Sequence, residues 1–405
     1  GVASVRVWIA GGGTGGHVYP GLAVVQALVA ESGEAGIRAV PAQGRAGGCG
    51  PSSRGPGDRS RNTREARLPD TLEAIYVGGA GGVEERLAQR TGLRFVGVPA
   101  GGVHGLAPWR VSRNLVKLVR GWGAAYRLGR RERPAALFAT GGYASVPVAL
   151  AAWMLRVPVL VYLPDIEPGL AVRFIARLAV RVAVTVEDSR SYFPAHKVVV
   201  TGYPVRAEFH GLDRAEARAA LGLRPDESVL LVMGGSRGAR SINQALSDVV
   251  EQVLGLAQVV HVSGELDWPW VAERREALPA ALKDRYHAFP YLYEKMGSAL
   301  AAADLALCRA GASTLGELPF FGLPAVLVPY PHAWRYQRVN ADWLVGRGAA
   351  VRLDDGRLPE RLLPTLRQLF SDRDRLKGMA GRMRALARPG AAAKLAAELR
   401  ALARQ

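Results

Sequence analysis

The stretch "VRVWIAGGGTGGHVYPGLAVVQAL", Val5 to Leu28, decides the fold. Val5, Val7 and Ile9 are β-formers in an apolar run, and five glycines follow within six residues. Leu22, Val25, Leu28 and Val29 then recur at helical spacing. The order is strand, glycine turn, helix, with Pro20 read as part of the first helical turn. Such a turn aims backbone N–H groups and the positive end of a helix dipole at one point, and glycine lets an anion approach because no Cβ intervenes. The expected guest is a phosphate. Gly11, Gly13 and Gly16 satisfy G-x-G-x-x-G, but a dinucleotide site also needs an acidic residue about 20 positions on. The acids of "ESGEAGIRAVPAQGR" precede the expected second strand, which disfavours a nicotinamide cofactor.

The pattern recurs in "AALFATGGYASVPVALAAWML" (135–155) and "SVLLVMGGSRGARSINQAL" (228–246), and more weakly in "EAIYVGGAGGVEERLAQ". Between these lie the short apolar runs "RFVGVP", "VPVLVYL", "RVAVTV", "KVVVTG", "AQVVHVSG", "DLALC" and "PAVLVPY", separated by helical patterns. Alternation of strand and helix throughout implies α/β architecture with parallel sheets covered on both faces. Ligands of such sheets sit outside the carboxyl ends of the strands, where the glycine turns fall. At 405 residues two or three domains are expected, and the pattern reads as two sheets with a boundary near 204–206. The final amphipathic helix is expected to pack back on the first domain.

Lys and Arg total 53 against 35 acids, a net +18 that implies an anionic partner. Nucleic acid is not supported, because the chain has neither aromatic stacking motifs nor a helix-turn-helix, and nucleic acid would explain none of the glycine turns. Cys49 and Cys308 offer neither a disulfide framework nor a zinc set, so a reducing cytoplasm is expected. No apolar run reaches membrane-spanning length, which points to a soluble or peripheral protein. Residues 38–69 are rich in Gly, Pro, Arg and Ser without an apolar period, and read as a disordered insertion.

The densest constellation is "CRAGASTLGELPFFGLPAVLVPYPHAWRYQRVNADWL", 308–344. Gly311, Ala312, Ser313 and Thr314 make a small-residue turn into a helix with Glu317 on its first turn; the following strand leads to Pro329, His332, Gln337 and Asn340. A carboxylate beside a phosphate-facing helix N-terminus is suited to the two hydroxyls of a ribose, so the guest reads as a nucleoside diphosphate. Simple compensation of the helix dipole is the alternative role for Glu317.

Taken together, "GGGTGGHVYPGLA", "GGYASVP", "GGSRGARSIN" and "CRAGASTLGEL…GLPAVLVPYPHAWRYQRVNA" resemble the MurG family of peptidoglycan glycosyltransferases, over nearly the whole chain outside 38–69. The resemblance implies a GT-B fold, with residues 1–204 facing acceptor and membrane, 205–389 binding the donor, and 390–405 returning to the first domain. It implies inverting, metal-independent transfer of N-acetylglucosamine from UDP-GlcNAc to the 4-hydroxyl of an undecaprenyl-pyrophosphoryl-N-acetylmuramoyl-pentapeptide, with no cofactor. By position, Thr14, Gly15, Gly16 and His17 fall in the family's first glycine loop, Tyr143 and Ser145 in the second, and Ser236 in the third. Arg206, Glu317, Gln337 and Asn340 match substrate-binding positions, as do the residues from Gly311 to Thr314. Leu292 lies near the backbone that reads uracil. Where the family has "HEQN", this chain has "YLPDIEPG", so Asp165 replaces an asparagine, and Tyr336 replaces the first of two glutamines. These departures leave open another GT-B enzyme acting on a different glycolipid or small molecule.

His17 is the leading candidate for the base that takes the acceptor proton, with Asp165 as competitor and a structural capping role as the alternative. "DRD" at 372–374 reads as a solvated face and not a metal site. In "GGVHGLAPWRVSRNLVKLVRGWGAAYRLGRRERP", Leu106, Trp109, Val111, Leu115, Leu118 and Trp122 interleave with Arg110, Arg113, Lys117, Arg120, Arg127, Arg130 and Arg131. The cations are expected to hold the protein peripherally on an anionic membrane, at its cytoplasmic face, while for the apolar residues a stripe buried in the core is an equal expectation.

Overall fold

Along the first strand, side chains alternate between two apolar layers, and that alternation fixes a covered sheet. Trp8 and Ala10 point into one core, Val7 and Ile9 into the other, and all four are fully buried. The computed structural model describes residues 5–12, 15–31, 72–100, 108–235, 238–332 and 335–405; the 38–69 insertion, Thr14 and Ser236 lie outside them.

The first sheet comprises β1 (Val5–Ala10), β2 (Leu72–Gly79), β3 (Arg94–Val98), β4 (Ala136–Ala139), β5 (Val159–Leu163), β6 (Arg181–Val184) and β7 (Val198–Val200). Its order is β3-β2-β1-β4-β5-β6-β7, parallel throughout. The second comprises β8 (Val229–Met233), β9 (Gln258–Val262), β10 (Tyr286–Phe289), β11 (Leu305–Cys308), β12 (Ala325–Leu327) and β13 (Ala350–Arg352). Its order is β10-β9-β8-β11-β12-β13, again parallel. In both sheets the chain reverses direction once, between β1 and β4 and between β8 and β11. Doubly wound sheets open a crevice at such switch points.

The chain crosses between the sheets twice. Residues 201–206 lead from the first toward the second, and after the helix Arg373–Ala385 it returns through Gly390, whose φ of +81° suits glycine. The helix Ala391–Ala403 then buries Leu395, Ala396, Leu399 and Leu402 against β4, β5 and the helix Gly15–Glu31.

Two readings of the sequence need correction. The helix Gly15–Glu31 begins earlier than Pro20 suggests, so Pro20 lies in the second turn and leaves the Gly16 carbonyl without its helical donor. Gln337 and Asn340 come from the helix Tyr336–Gly346 and not from the strand before it. "DRD" is resolved in its bland sense: Asp372 caps the helix Arg373–Ala385 by accepting from the Arg375 N–H at 2.9 Å.

Candidate active site

All three strong glycine turns fall at the switch points. The turn after β1 and the turn after β4 meet at the first; the turns after β8 and β11 meet at the second. Close backbone approach explains the glycines of the first crevice. A Cβ on Gly142 (φ +81°) would strike the Gly12 carbonyl, and one on Gly11 would strike the Thr140 hydroxyl. Ser145 closes the second turn, its hydroxyl donating to the Gly142 carbonyl at 2.7 Å, and is fully buried; Tyr143 beside it stays half-buried.

His17 stands on the first turn of the helix that opens at Gly15, next to Gly16. Its Nδ1 lies 2.8 Å from the Thr140 carbonyl, which only accepts, so Nδ1 carries the proton and Nε2 is left as the basic nitrogen. Thr140 also donates its hydroxyl to the His17 carbonyl at 2.5 Å. This double tie fixes both ring and backbone. Sequence reasoning passed over Thr140, although "ATGGY" placed it immediately before a glycine pair.

Asp165 follows β5, and burial pushes its carboxyl above the usual range while His17 and the amide of Asn340 pull it back. Asn340 is fully buried and every polar atom of its amide is engaged. Its oxygen accepts from the Ile166 N–H at 3.2 Å; its nitrogen donates to Asp165 Oδ1 at 2.8 Å and to the Ala310 carbonyl at 3.1 Å. A residue expected at the donor thus binds the two halves together. Gln337, one turn earlier, accepts from the Tyr330 N–H at 2.9 Å and remains half-buried.

Gly311, Ala312 and Ser313 lead into the helix Thr314–Phe321, whose first turn carries Glu317. The Glu317 carboxyl is raised by burial and opposed by Arg206, whose Nη2 lies 3.7 Å away. Arg206, in the crossing segment, stacks its guanidinium 4.7 Å from the ring centre of Tyr19 and 4.1 Å from that of Phe209. Its Nε is buried with no hydrogen-bond partner among the described residues. Tyr19 belongs to the first half, so Arg206 and Asn340 are independent ties across the cleft. Leu292, in the turn after β10, sends its side chain into the core, which leaves its backbone as the group available to a ligand.

Beneath the third glycine turn, buried His261 is held near pKa 3 by desolvation. Its Nδ1 faces the Tyr286 hydroxyl at 2.6 Å and its Nε2 the Asn243 carbonyl oxygen at 2.9 Å, while Asn243 donates to Ser263 and Asp267. Asp267 in turn takes Arg240, the first residue of the helix Arg240–Leu254. This network anchors the helix start that the turn serves.

The basic helix runs Pro108–Glu132. Leu106 lies outside the described residues, as do the side chains of Trp109, Arg110, Val111, Arg113 and Leu115. Trp122, for which membrane and core were equal expectations, packs against the first-sheet core beside Ala125. The apolar groups that do face outward are Val116 and Val119, each 57% exposed, flanked by exposed Lys117 and Arg120. No helix among the described residues is long and apolar enough to cross a membrane.

Residues 68–184 match the glycosyltransferase family 28 N-terminal domain and residues 229–395 the glycosyltransferase family 28 C-terminal domain. A protein of Roseiflexus sp. (strain RS-1), described as a UDP-N-acetylglucosamine--N-acetylmuramyl-(pentapeptide) pyrophosphoryl-undecaprenol N-acetylglucosamine transferase, is 44% identical over 98% of this chain and 94% of its own. One of the same description from Moorella thermoacetica is 38% identical over 96% of each. A crystal structure of Acinetobacter baumannii MurG matches with a TM-score of 0.68 at 24% identity, covering 98% of this chain and 99% of that one, and supports the shared GT-B fold. With two family 28 domains and relatives of this identity along nearly its full length, the chain belongs to the MurG family of glycosyltransferases.

Proposed function

We propose that the protein transfers N-acetylglucosamine from UDP-GlcNAc to the 4-hydroxyl of undecaprenyl-pyrophosphoryl-N-acetylmuramoyl-pentapeptide, with inversion at the sugar and without a metal. One observation carries this reading: each sheet has a switch point, and the Asn340 amide ties the carboxyl end of β5 in one to that of β11 in the other, in a chain whose relatives bear the name of that transferase. The names of those relatives do not favour a different acceptor.

In this assignment residues 205–389 bind the donor. Glu317 accepts from the ribose hydroxyls, the backbone at Leu292 meets the base, and Gln337 meets the sugar. The turn from Gly311 to Thr314 directs N–H groups at the diphosphate, Ser236, outside the described residues, is assigned to the same group, and Arg206 offers its unpaired N–H to the charge that grows on UDP. Residues 1–204 with 390–405 receive the acceptor, whose pyrophosphate meets the turn of Thr14, Gly15 and Gly16 and that of Tyr143 and Ser145. His17 Nε2 takes the proton of the attacking hydroxyl, and the Asp165 carboxylate stabilises the imidazolium that results. The C–O bond forms as the bond from the anomeric carbon to the β-phosphate oxygen breaks, and its electron pair leaves with UDP.

The lipid-linked acceptor requires a membrane surface, and exposed Val116 and Val119 among Lys117 and Arg120 support peripheral docking on anionic lipid at the cytoplasmic face. The test is incubation of purified protein with radiolabelled UDP-GlcNAc and the lipid-linked monosaccharide, scored for a lipid-linked disaccharide of opposite anomeric configuration to the donor. Transfer only to some other acceptor would refute the assignment.

A further inference from the structure

The first crevice contains a carboxylate that the mechanism above does not use. Glu84 stands on the first turn of the helix Val83–Arg90, which follows β2, and is 4% exposed. Its side chain folds back toward the start of its own helix, as helical side chains do, and so reaches the carboxyl ends of β1 and β2. A Cβ on Gly12 would come to 2.5 Å from Glu84 Oε1 and one on Gly79 to 3.1 Å, while one on Gly82 would strike Oε2. Glycine at these positions makes room for the carboxylate. The turn after β4 closes the remaining side, since the same Cβ on Gly12 would lie 3.4 Å from that of Ala144.

The ordinary uses of a buried acid are met by other residues. Glu85 serves the helix start: it is exposed and accepts from the Gly81 N–H at 2.7 Å. Tyr76 packs against Gly78 beside the Glu84 stem, but its hydroxyl donates to the Gly11 carbonyl at 3.0 Å. Among the described residues neither a cation nor an N–H or O–H donor is paired with the Glu84 carboxylate. Its oxygens are not sealed off as Arg206 Nε is, so a group entering the crevice can reach them. Burying an acid without a partner is costly, and the cost is relieved only by a donor that arrives with a ligand.

We propose that Glu84 reads the carbohydrate of the acceptor: its carboxylate accepts from a hydroxyl or amide N–H of the sugar and keeps the pyrophosphate out of that corner of the crevice. This rests on the assignment of the first crevice to the acceptor. A carboxylate accepts hydrogen bonds and repels anions, whereas N–H groups at glycine turns and helix starts attract them. The two kinds of group therefore sort the two ends of a glycosyl pyrophosphate, sugar to Glu84 and pyrophosphate to the turns. The same arrangement discriminates against the bare carrier. A prenyl pyrophosphate without its sugar offers Glu84 no donor from carbohydrate and brings an additional ionisable oxygen, so it meets repulsion where the loaded carrier meets a hydrogen bond.

The experiment measures binding to the full chain by calorimetry, without donor, using two probes: the lipid-linked monosaccharide-pentapeptide on a short, water-soluble prenyl chain, and the pyrophosphate of that same prenyl alcohol without the sugar. Glu84→Gln keeps the shape and loses the charge. It should weaken the glycosylated probe about 5- to 10-fold and leave the bare pyrophosphate bound equally or more tightly. The donor KM should stay within about twofold and the melting temperature should hold or rise. Glu85→Gln should move neither probe. Glu84→Ala replaces the glutamine variant if that fails to fold, with a larger loss for the glycosylated probe. Equal weakening of both probes makes Glu84 a support of the turns and overturns the proposal, as does a raised donor KM with the glycosylated probe unmoved. If the wild type forms no disaccharide yet the two probes separate as stated, the assigned reaction fails and the contact stands. If disaccharide forms and Glu84→Gln binds the glycosylated probe within about twofold of wild type, the contact fails alone.

Discussion

Glu317→Ala separates a ligand contact from a structural carboxylate. Glu317 is 8% exposed, and its nearest cation, Arg206, is 3.7 Å away, too long for a strong hydrogen-bonded pair. Burial therefore dominates, and the folded carboxyl lies above its unfolded value. The sign follows by linkage: the favourable contribution to stability is complete below the unfolded pKa and is lost as pH rises through the folded one. At neutral pH the ionised group is thus an unfavourable burden on the free enzyme. Ribose hydroxyls donating to it would relieve that burden on binding.

A hydrogen bond to a charged group is worth about 1.5–3 kcal/mol, so the alanine variant should bind UDP-GlcNAc roughly 10- to 150-fold more weakly. Its thermal stability should hold or rise slightly. If Glu317 merely compensated the helix dipole, stability would instead fall by about 0.3–1 kcal/mol and affinity would not change. Calorimetric titration between pH 5 and 8, with a melting curve for each variant, distinguishes the two. Wild-type affinity should weaken toward low pH along a limb above the ordinary carboxylate range, and Glu317→Gln should abolish that limb. An unchanged Kd in Glu317→Ala refutes the ribose role.

Chelation with EDTA should leave turnover intact; activity lost and then restored by Mg²⁺ or Mn²⁺ would show that the helix termini and Arg206 do not suffice. Gly142→Ala forces a Cβ into the Gly12 carbonyl at a φ of +81° and should cost about 1–3 kcal/mol of stability or the equivalent in kcat, read by melting and by transfer rate. Arg110, Arg113, Lys117 and Arg120 changed together to Gln should weaken sedimentation with anionic vesicles, at about 1 kcal/mol for each cation that meets the surface, while UDP-GlcNAc affinity stays the same. Equal binding of wild type to neutral and anionic vesicles would remove the electrostatic anchor.

What the sequence revealed and what it concealed have one physical origin. Central strands are buried on both faces and so read as unbroken apolar runs, which is why β1, β5, β8 and β11 are evident from composition alone. β10 and β13 escaped notice because "YHAF" and "AVR" are short, each broken by a polar residue, and bury one residue each. The glycine turns were legible because only glycine fits where two backbones touch, as Gly142 does at Gly12. Thr140, Tyr19 and the inward role of Asn340 were not, because each depends on a partner more than a hundred residues away. Trp122 shows the converse: an amphipathic helix announces that it has two faces, but not which tryptophan lies on which.

The energetics of the two crossings and of the cleft differ. The returning helix Ala391–Ala403 is held by fully buried Leu395 and Leu399, and truncating either to alanine should cost about 2–5 kcal/mol. Across the cleft itself the buried ties are the Asn340 amide, Arg206 over Tyr19 at 4.7 Å, and Ile166 and Val186, which pack into the core of the second half; the peripheral ties are Arg90 over Tyr293 at 4.2 Å, Arg347 to Asp188 at 3.1 Å, and Arg335 to Glu167. Ion pairs at half-exposed positions are worth about 0–1 kcal/mol and cation–π contacts about 0.5–1 kcal/mol. Each peripheral tie breaks readily, whereas the buried contacts, the covalent crossings at 201–206 and 387–390 and the helix that follows keep the halves in register.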